Sequence, residues 1–449
     1  MDLRQTKTST LQTLRGALDT GAMRRVRRTL DSLHPSEIAR LLESLPLAER
    51  QIVWDLLDSE YSGEVLVELA EEVRNGVIER MGDAELVAAA EGMDLDDLAD
   101  LLIDLPEAVT REVLTSLDQA DRERLRAVLA YDEDSAGGLM DPTTNSVRPD
   151  VPLEVVLRYL RMQGEIPEGT DSVFVVDRHE RYLGILRFSS LLTSDPELPV
   201  SDIMDKDVPA IAVDTPDVEV SRLFEDRDLI SAAVVDAGGR LIGRITVDDV
   251  VDVIREEAEH SIMSAAGLDE EDDLFAPVLT SARRRAVWLG INLATAFLAA
   301  WVVGLFQSTI DKVVLLAVLM PVVPSMGGVA GTQSLTIITR ALALGQIETS
   351  NAISVLKKEL SVGLINGMAW ALIVSIVTLA WFKTPEIGAI VAAALMVNMI
   401  VAATAGYSLP LLMRRLGWDP ALGGGVVLTT ITDVVGYGVF LGLGALFLL

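Results

Sequence analysis

Residues 420–449 read PALGGGVVLTTITDVVGYGVFLGLGALFLL, and Asp433 is the single charged residue in this run. A helix needs about 20 largely apolar residues to cross a bilayer core, so the run is long enough to span a membrane. An ionisable side chain at that depth costs about 2.5–3.5 kcal/mol on insertion scales and usually faces a cavity or a partner. The run therefore predicts a membrane helix with a functional carboxylate, against the alternative of a structural hydrogen bond between helices.

Four further runs without Asp, Glu, Lys or Arg precede this one, at residues 286–310, 313–339, 360–382 and 387–413. Together the five runs predict an all-α membrane domain of five spans within residues 283–449. Five consecutive long apolar helices would be unusual in a soluble protein, so that alternative is disfavoured. An odd number of spans cannot form two equal inverted repeats, so we expect a homodimer with a path at or near its interface.

Basic residues orient the predicted spans. On one side, eight basic residues lie before the first run or between later runs; on the other side there are only Lys312 and Lys383. The eight are Arg283, Arg284, Arg285, Arg340, Lys357, Lys358, Arg414 and Arg415. Since basic loops stay in the cytoplasm, we expect a multi-pass protein of the cell (inner) membrane with a cytoplasmic N-terminus and an outside C-terminus. The first ten residues, MDLRQTKTST, lack an apolar stretch, so we expect no cleaved signal peptide.

Charge divides the chain into two parts. The 449 residues include 37 Lys+Arg and 67 Asp+Glu, for a formal net charge of -30, and 61 of the acidic residues lie within residues 1–282. An acidic surface attracts cations and repels nucleic acid and anionic lipid. We therefore expect cations as partners, no nucleic acid, and membrane lipid only around the spans.

The residue types that catalysis needs are scarce. There is no cysteine, which excludes disulfides and thiolate sites, and the three histidines, His34, His179 and His260, are too scattered to favour a zinc enzyme. The chain also has no P-loop and no group of residues at the spacing typical of an active site. We therefore expect no enzymatic activity.

Residues 1–135 are predicted to be helical and to contain an internal repeat. Apolar positions at helical spacing recur 60 residues later: Leu33, Ile38, Leu41, Leu42, Leu45 and Pro46 match Met93, Leu98, Leu101, Leu102, Leu105 and Pro106. Each set gives one apolar helix face. Stacked helical pairs in a small superhelix fit this pattern best, and coincidental amphipathic helices are the alternative.

Residues 136–258 alternate strand-like and helical segments and also repeat. Val175-Val176-Asp177 recurs as Val234-Val235-Asp236, and Leu183-Gly184 recurs as Ile242-Gly243. The pattern resembles two tandem CBS (cystathionine β-synthase) modules, an α/β fold that often binds adenine nucleotides or metal ions. Thr246 and Asp249 match the module's ribose contact, so ATP or another adenine nucleotide is a candidate ligand. A scaffold that only dimerises is the alternative.

The segment 259–282 is acidic and joins this region to the first span. Its composition fits a solvated charge run. Its position between a ligand-binding module and the membrane half instead suggests a connecting, plug-like helix that gates the path.

Two groups of span residues suit a cation path. Span two contains Pro321, Pro324, Gly327, Gly328, Gly331 and Gln333. These predict either a broken helix whose freed carbonyls line the path or close packing through small residues. In span five, Thr429 precedes Asp433 by one turn and Thr430 lies beside it. A carboxylate with hydroxyl neighbours suits a hydrated ion such as Mg²⁺, which gives up its water reluctantly.

The whole order of segments resembles the MgtE family of magnesium channels or transporters. The most specific motifs are Ala136-Gly137-Gly138-Leu139-Met140, Gly327-Gly328-x-x-Gly331-x-Gln333, and Arg414-Arg415-Leu416-Gly417-x-Asp419-Pro420-Ala421-Leu422 leading to Thr430-x-x-Asp433. The resemblance implies a homodimer in which Asp433 binds hydrated magnesium in the pore. It also implies regulatory magnesium ligands at Asp97, Asp228, Asp249, Asp252 and Glu257, and a loop acid, Asp419, that ties to the connecting helix.

His260 and Ser261 depart from the family pattern, since acids can stand there, and their presence implies altered gating. The leading hypothesis is passive, magnesium-selective influx gated by cytosolic divalent cations. A cation-coupled carrier for another divalent ion such as Co²⁺ is one alternative. A membrane-anchored sensor of nucleotide or metal is the other.

Overall fold

The computed structural model describes residues 12, 14–18, 20–90, 93, 95–164, 166, 169–268, 273–347, 350–418 and 420–449. Asp419 therefore lies outside the described residues. The chain divides into two compact units, Met1–Glu259 with Glu271–Ala276, and His260–Glu270 with Pro277–Leu449.

Short helices form the N-terminal part of the first unit. They span Met23–Leu30, Pro35–Glu43, Leu47–Trp54, Ser62–Val67, Glu71–Ile78, Asp83–Ala90, Leu95–Asp104, Glu107–Ser116 and Gln119–Val128, with a 3-10 turn at Ser59–Tyr61. The predicted apolar faces are buried in both repeats: Leu42 and Leu45 are fully buried, and Leu98 and Leu101 are 1% exposed. The helical prediction for this region is confirmed, because its apolar spacing is that of packed helices.

Two small sheets follow, each of three strands. The first contains β1 (Ser146–Val147), β2 (Ser172–Val176) and β3 (Tyr182–Arg187), and the second contains β4 (Ile211–Ala212), β5 (Ser231–Val235) and β6 (Leu241–Thr246). In each sheet the first pair is parallel and the second antiparallel. The register shifts at Val175/Val176 and at Val234/Val235, the positions that the sequence repeat equates. The duplicated α/β fold is confirmed.

Helices surround these strands at Leu153–Gln163, Phe188–Thr193, Val200–Ile203 and Asp217–Arg227. A longer helix, Val247–Ala265, follows β6 and continues into the segment predicted as a separate connecting helix at 259–282. Gly267 has a φ of +68°, a left-handed conformation typical of the residue after a helix. The next helix begins at Val278, directly after Pro277. Within the described residues, 259–282 thus holds the end of one helix, a non-helical stretch and the start of another.

Five helices in the described part of the chain are long and apolar enough to cross a membrane, which confirms the predicted number. We call them spans one to five: Val278–Gly304, Leu315–Ala343, Ala352–Phe382, Pro385–Arg415 and Gly423–Leu448. Span two is interrupted near Pro321, between helices Leu315–Leu319 and Val322–Ala343. Proline has no N–H for the helical ladder, which accounts for a break at this point.

Candidate functional site

Asp433 lies on a face of span five that packs little against the rest of the chain. Gly425, Thr429 and Asp433 follow one another at intervals of four residues, so they share this face. Thr429 is exposed and Asp433 half-buried. The Thr429 hydroxyl donates to the Gly425 carbonyl at 3.0 Å, and the Thr430 hydroxyl donates to the Val426 carbonyl at 2.6 Å. With their protons turned to the backbone, the hydroxyl oxygens can still accept hydrogen bonds from other groups.

Span two approaches span five through its glycines. A Cβ added at Gly328 would lie 4.0 Å from Thr429 Cγ2 and 3.9 Å from Thr432 Oγ1, and one at Gly331 would lie 3.0 Å from the Leu428 side chain. These contacts match the close-packing interpretation of the glycine motif. The helix break lies nearer the N-terminus, at Pro321. By contrast, Gly327, Gly328 and Gly331 lie in continuous helix.

Span two also presents polar side chains on its exposed face. These exposed residues are Ser325, Thr332, Gln333 and Thr336, at helical spacing. Lipid hydrocarbon offers such groups no hydrogen bonds, so polar residues at membrane depth normally face protein or water. This face and the Thr429–Asp433 face of span five are therefore incompletely covered by a single chain.

Asn398 on span four was missed by the sequence analysis. It is fully buried, and its Nδ2 donates to the Val323 carbonyl at 2.9 Å. A Cβ on Gly327 would come within 2.1 Å of Nδ2, and one on Gly436 within 3.0 Å. Spans two, four and five thus meet at one buried amide. The available signal was a lone asparagine within the apolar run 387–413.

A buried carboxylate on span three was also missed. Glu359 is 4% exposed and accepts a 2.7 Å hydrogen bond from the Ser334 hydroxyl of span two. Lys358 Nζ lies 3.9 Å from its other oxygen. Glu359 directly precedes the charge-free run 360–382, so a search for uncharged runs placed it outside the span.

Asp97 and Asp249 are brought together within the first unit, from the helical region and from the helix after β6. The Asp249 carboxylate accepts hydrogen bonds from the Thr246 amide at 2.9 Å and from the Thr246 hydroxyl at 2.8 Å. Burial raises the pKa of Asp249 to about 7, and the carboxylates of Asp248 and Asp97 add to this rise, while the two bonds from Thr246 oppose it. A cation beside Asp97 and Asp249 would relieve this repulsion.

The other predicted regulatory acids are exposed or are paired with a basic side chain. Asp228 is exposed, with a left-handed φ of 51° at the end of helix Asp217–Arg227. Asp252 forms an ion pair with Arg255 at 3.4 Å, and Glu257 is exposed farther along the same helix. Among the described residues, no three His, Cys, Asp or Glu side chains are close enough to hold a metal ion.

Two further predictions concern this helix. Thr246, the predicted ribose contact, is 5% exposed and bonded to Asp249, so the pair caps the helix that begins at Val247. His260 Nε2 lies 3.3 Å from Ser264 Oγ, and Ser261 is exposed. His260 thus has a partner within its own helix.

Comparison with known proteins covers nearly the whole chain. Residues 320–443 match the family described as a divalent cation transporter, residues 33–134 match the MgtE intracellular N domain, and residues 136–197 and 200–256 match CBS domains. A magnesium transporter MgtE of Thermus thermophilus is 34% identical, over 97% of this chain and 98% of that protein. The magnesium transporter MgtE of Bacillus subtilis is 26% identical, over 95% of each chain.

Among solved structures, the cytosolic domain of the Mg²⁺ channel MgtE in complex with ATP covers 54% of this chain and 99% of its own, with 35% identity and a TM-score of 0.49. The relatives are named as transporters, and the resemblance found in the sequence is confirmed. From the domain matches, the two full-length transporters and the five apolar helices, we conclude that this chain is a multi-pass membrane protein and belongs to the MgtE family of magnesium transporters.

Proposed function

We propose that this chain forms a homodimeric channel for passive Mg²⁺ influx, with Asp433 at the ion path and with gating by cytosolic divalent cations. The observation that carries the proposal is the incompletely covered face of span five that holds Asp433 and Thr429; span two adds an exposed polar face of its own with Thr332 and Gln333. A second copy that covers this face would place two Asp433 carboxylates beside one path.

The chemistry of the face suits a hydrated divalent ion. Magnesium keeps several waters and is commonly held through one or two carboxylates. The water ligands would donate to Asp433 and to the Thr429 hydroxyl, while the two carboxylates offset the charge of the ion. An inside-negative potential drives each charge inward by about 2.3 kcal/mol per 100 mV, and a divalent ion by twice that. No second energy source is needed.

Potential-driven Mg²⁺ uptake into proteoliposomes tests this proposal. A channel takes up Mg²⁺ under an imposed potential alone. A coupled carrier would also need a proton or sodium gradient, and a membrane-anchored sensor would show no uptake.

The dimer interface has its own test, because the chain has no cysteine. We expect Val329→Cys, on the polar face of span two, to form a disulfide-linked dimer when oxidised in membranes. Ile376→Cys on span three is the matched control, since both side chains are 58% exposed in a single chain. Cross-linking of Ile376→Cys but not of Val329→Cys would show that the dimer interface lies away from Asp433.

Gating is proposed to involve a cation at Asp97 and Asp249. Since the folded protein holds the Asp249 proton up to about pH 7, stability without metal should fall as the pH rises from about 4 to 7. Cation binding must displace this proton, so apparent Mg²⁺ affinity at this site should be about tenfold weaker at pH 6 than at pH 8.

Calorimetric Mg²⁺ titration of the whole protein at the two pH values measures this effect. In Asp249→Asn the pH dependence should largely disappear. In Glu154→Gln, which removes a carboxylate of the first CBS module, it should persist. A pH dependence of undiminished size in Asp249→Asn would contradict the assignment.

Binding of an adenine nucleotide at Thr246 and Asp249 remains a prediction from the sequence. In the described geometry a ribose hydroxyl would have to compete with the Thr246–Asp249 hydrogen bond. Titration with ATP, with and without Mg²⁺, tests it.

A further inference from the structure

A buried ion pair joins the N-terminal helical region to the segment that leads into span one. Arg50, on the helix Leu47–Trp54, donates from Nη1 to Asp273 Oδ2 at 2.9 Å and from Nη2 to Asp273 Oδ1 at 3.1 Å. The two side chains are 3% and 7% exposed. Arg50 also donates to the carbonyls of Leu42 and Leu45, at 3.0 and 3.4 Å. Its guanidinium is therefore also held by its own helical region.

The backbone around Asp273 is fixed at two further points. The Asp273 amide donates to the Glu72 carboxylate, on the helix Glu71–Ile78. The Phe275 amide donates to Asp273 Oδ1 at 2.9 Å. Residues 273–275 are thus held through side chain and main chain by two helices more than 200 residues away in sequence. Accordingly, Glu271–Ala276 belongs to the first compact unit, although it follows part of the second in the chain.

The distance along the chain to the membrane half is short. Span one begins at Val278, five residues after Asp273. Five residues extend to at most about 17 Å, and Pro277 stiffens the last of them. The short segment would therefore transmit a movement of the helical region to the start of span one. This route is separate from the covalent route through the CBS modules and the helix Val247–Ala265.

An ion pair of this kind is not explained by stability alone. Burial of both charges is costly, and well-packed apolar residues often hold two elements together as well or better. A bidentate Arg–carboxylate pair instead fixes one geometry. We propose that Arg50 and Asp273 are positioning residues that couple the cation-binding helical region to span one, so that regulatory Mg²⁺ acts on the ion path partly through this anchor. This inference rests on the proposed gating function.

The test uses Asp273→Asn in the whole protein, with Asp121→Asn as the matched control. Asp121 pairs with Arg124 in the same helical region, but the Asp121 side chain is 37% exposed and the Arg124 side chain 48% exposed. In Asp273→Asn we expect the amides of residues 273 and 275 to exchange hydrogen faster. The internal Mg²⁺ concentration that halves uptake should rise about fivefold, with uptake at low internal Mg²⁺ unchanged. Asp121→Asn should alter neither quantity.

A second variant keeps the test decisive, because Asp273→Asn leaves the Arg50 charge buried and could unfold the helical region. Glu72→Gln weakens the same anchor without stranding that charge, and should shift half-inhibition in the same direction by a smaller factor. The proposal would be overturned if the residue 273 amide exchanged faster in both variants while the internal Mg²⁺ concentration that halves uptake stayed at the wild-type value. It would also be overturned if this amide showed no protection from exchange in the wild type.

Hydrogen exchange also separates this inference from the transport function. Added Mg²⁺ should slow exchange in residues 278–285 of the wild type, and this response should be lost in Asp273→Asn. A wild type that shows this response but no uptake would count against the channel and still support the anchor. Retention of the response in Asp273→Asn would refute the anchor whatever the flux.

Discussion

Asp433→Asn is expected to reduce potential-driven Mg²⁺ uptake into proteoliposomes by at least about a hundredfold. In the proposed dimer the change removes both carboxylates from the path while keeping the size of the side chain. An amide can still accept a hydrogen bond from a water ligand, but it no longer offsets the charge of a divalent ion in a region where charges are poorly solvated. About 2.7 kcal/mol of lost stabilisation of the ion at this position corresponds to that factor.

The matched control is Glu386→Gln, which removes one carboxylate at the start of span four, where the side chain is exposed. Its uptake should stay within about twofold of the wild type. Both variants should elute as dimers in detergent, so that loss of flux is not loss of assembly. If Asp433→Asn formed an intact dimer and took up Mg²⁺ near the wild-type rate, Asp433 would not lie at the ion path.

The spans and the duplicated modules could be predicted because their signals are local. Charge-free runs such as 387–413 follow from the cost of charge in hydrocarbon. The CBS duplication is visible in Val175-Val176-Asp177 and its later copy, since equivalent strands need equivalent residues. The apolar face of Leu98 and Leu101 follows from helical spacing in the same way.

The features that were missed depend on which distant residues meet. Nothing near Arg50 in the sequence indicates that its partner is Asp273, because the two residues lie 223 positions apart. Glu359 lies just outside the charge-free run 360–382, because charge counting cannot tell a carboxylate that faces lipid from one that faces Ser334. Asn398 carries no charge, and its importance comes from the space that Gly327 and Gly436 leave for it.

Gly406→Ala is expected to disrupt the packing of the membrane half. A Cβ at this position in span four would lie 2.7 Å from the Gly331 carbonyl oxygen, 2.7 Å from Ser334 Cβ and 3.1 Å from the Leu335 amide nitrogen. Two of these atoms are backbone and cannot turn aside, so span two must move. Overpacking of this kind costs about 1–3 kcal/mol.

The expected cost is larger than overpacking alone, because Ser334 donates to the buried Glu359 carboxylate. A shift of span two that breaks this bond leaves a buried charged group poorly satisfied, which costs about 1–3 kcal/mol more. Thermal unfolding in detergent, followed by size-exclusion chromatography after heating, should show a midpoint lower by about 10 °C or more. Gly290→Ala on span one, where an added Cβ meets nothing within 4 Å, should leave the midpoint unchanged or slightly raised. An unchanged midpoint in Gly406→Ala would mean that spans two and four can separate without cost, and the glycines of span two would then need an explanation at the ion path itself.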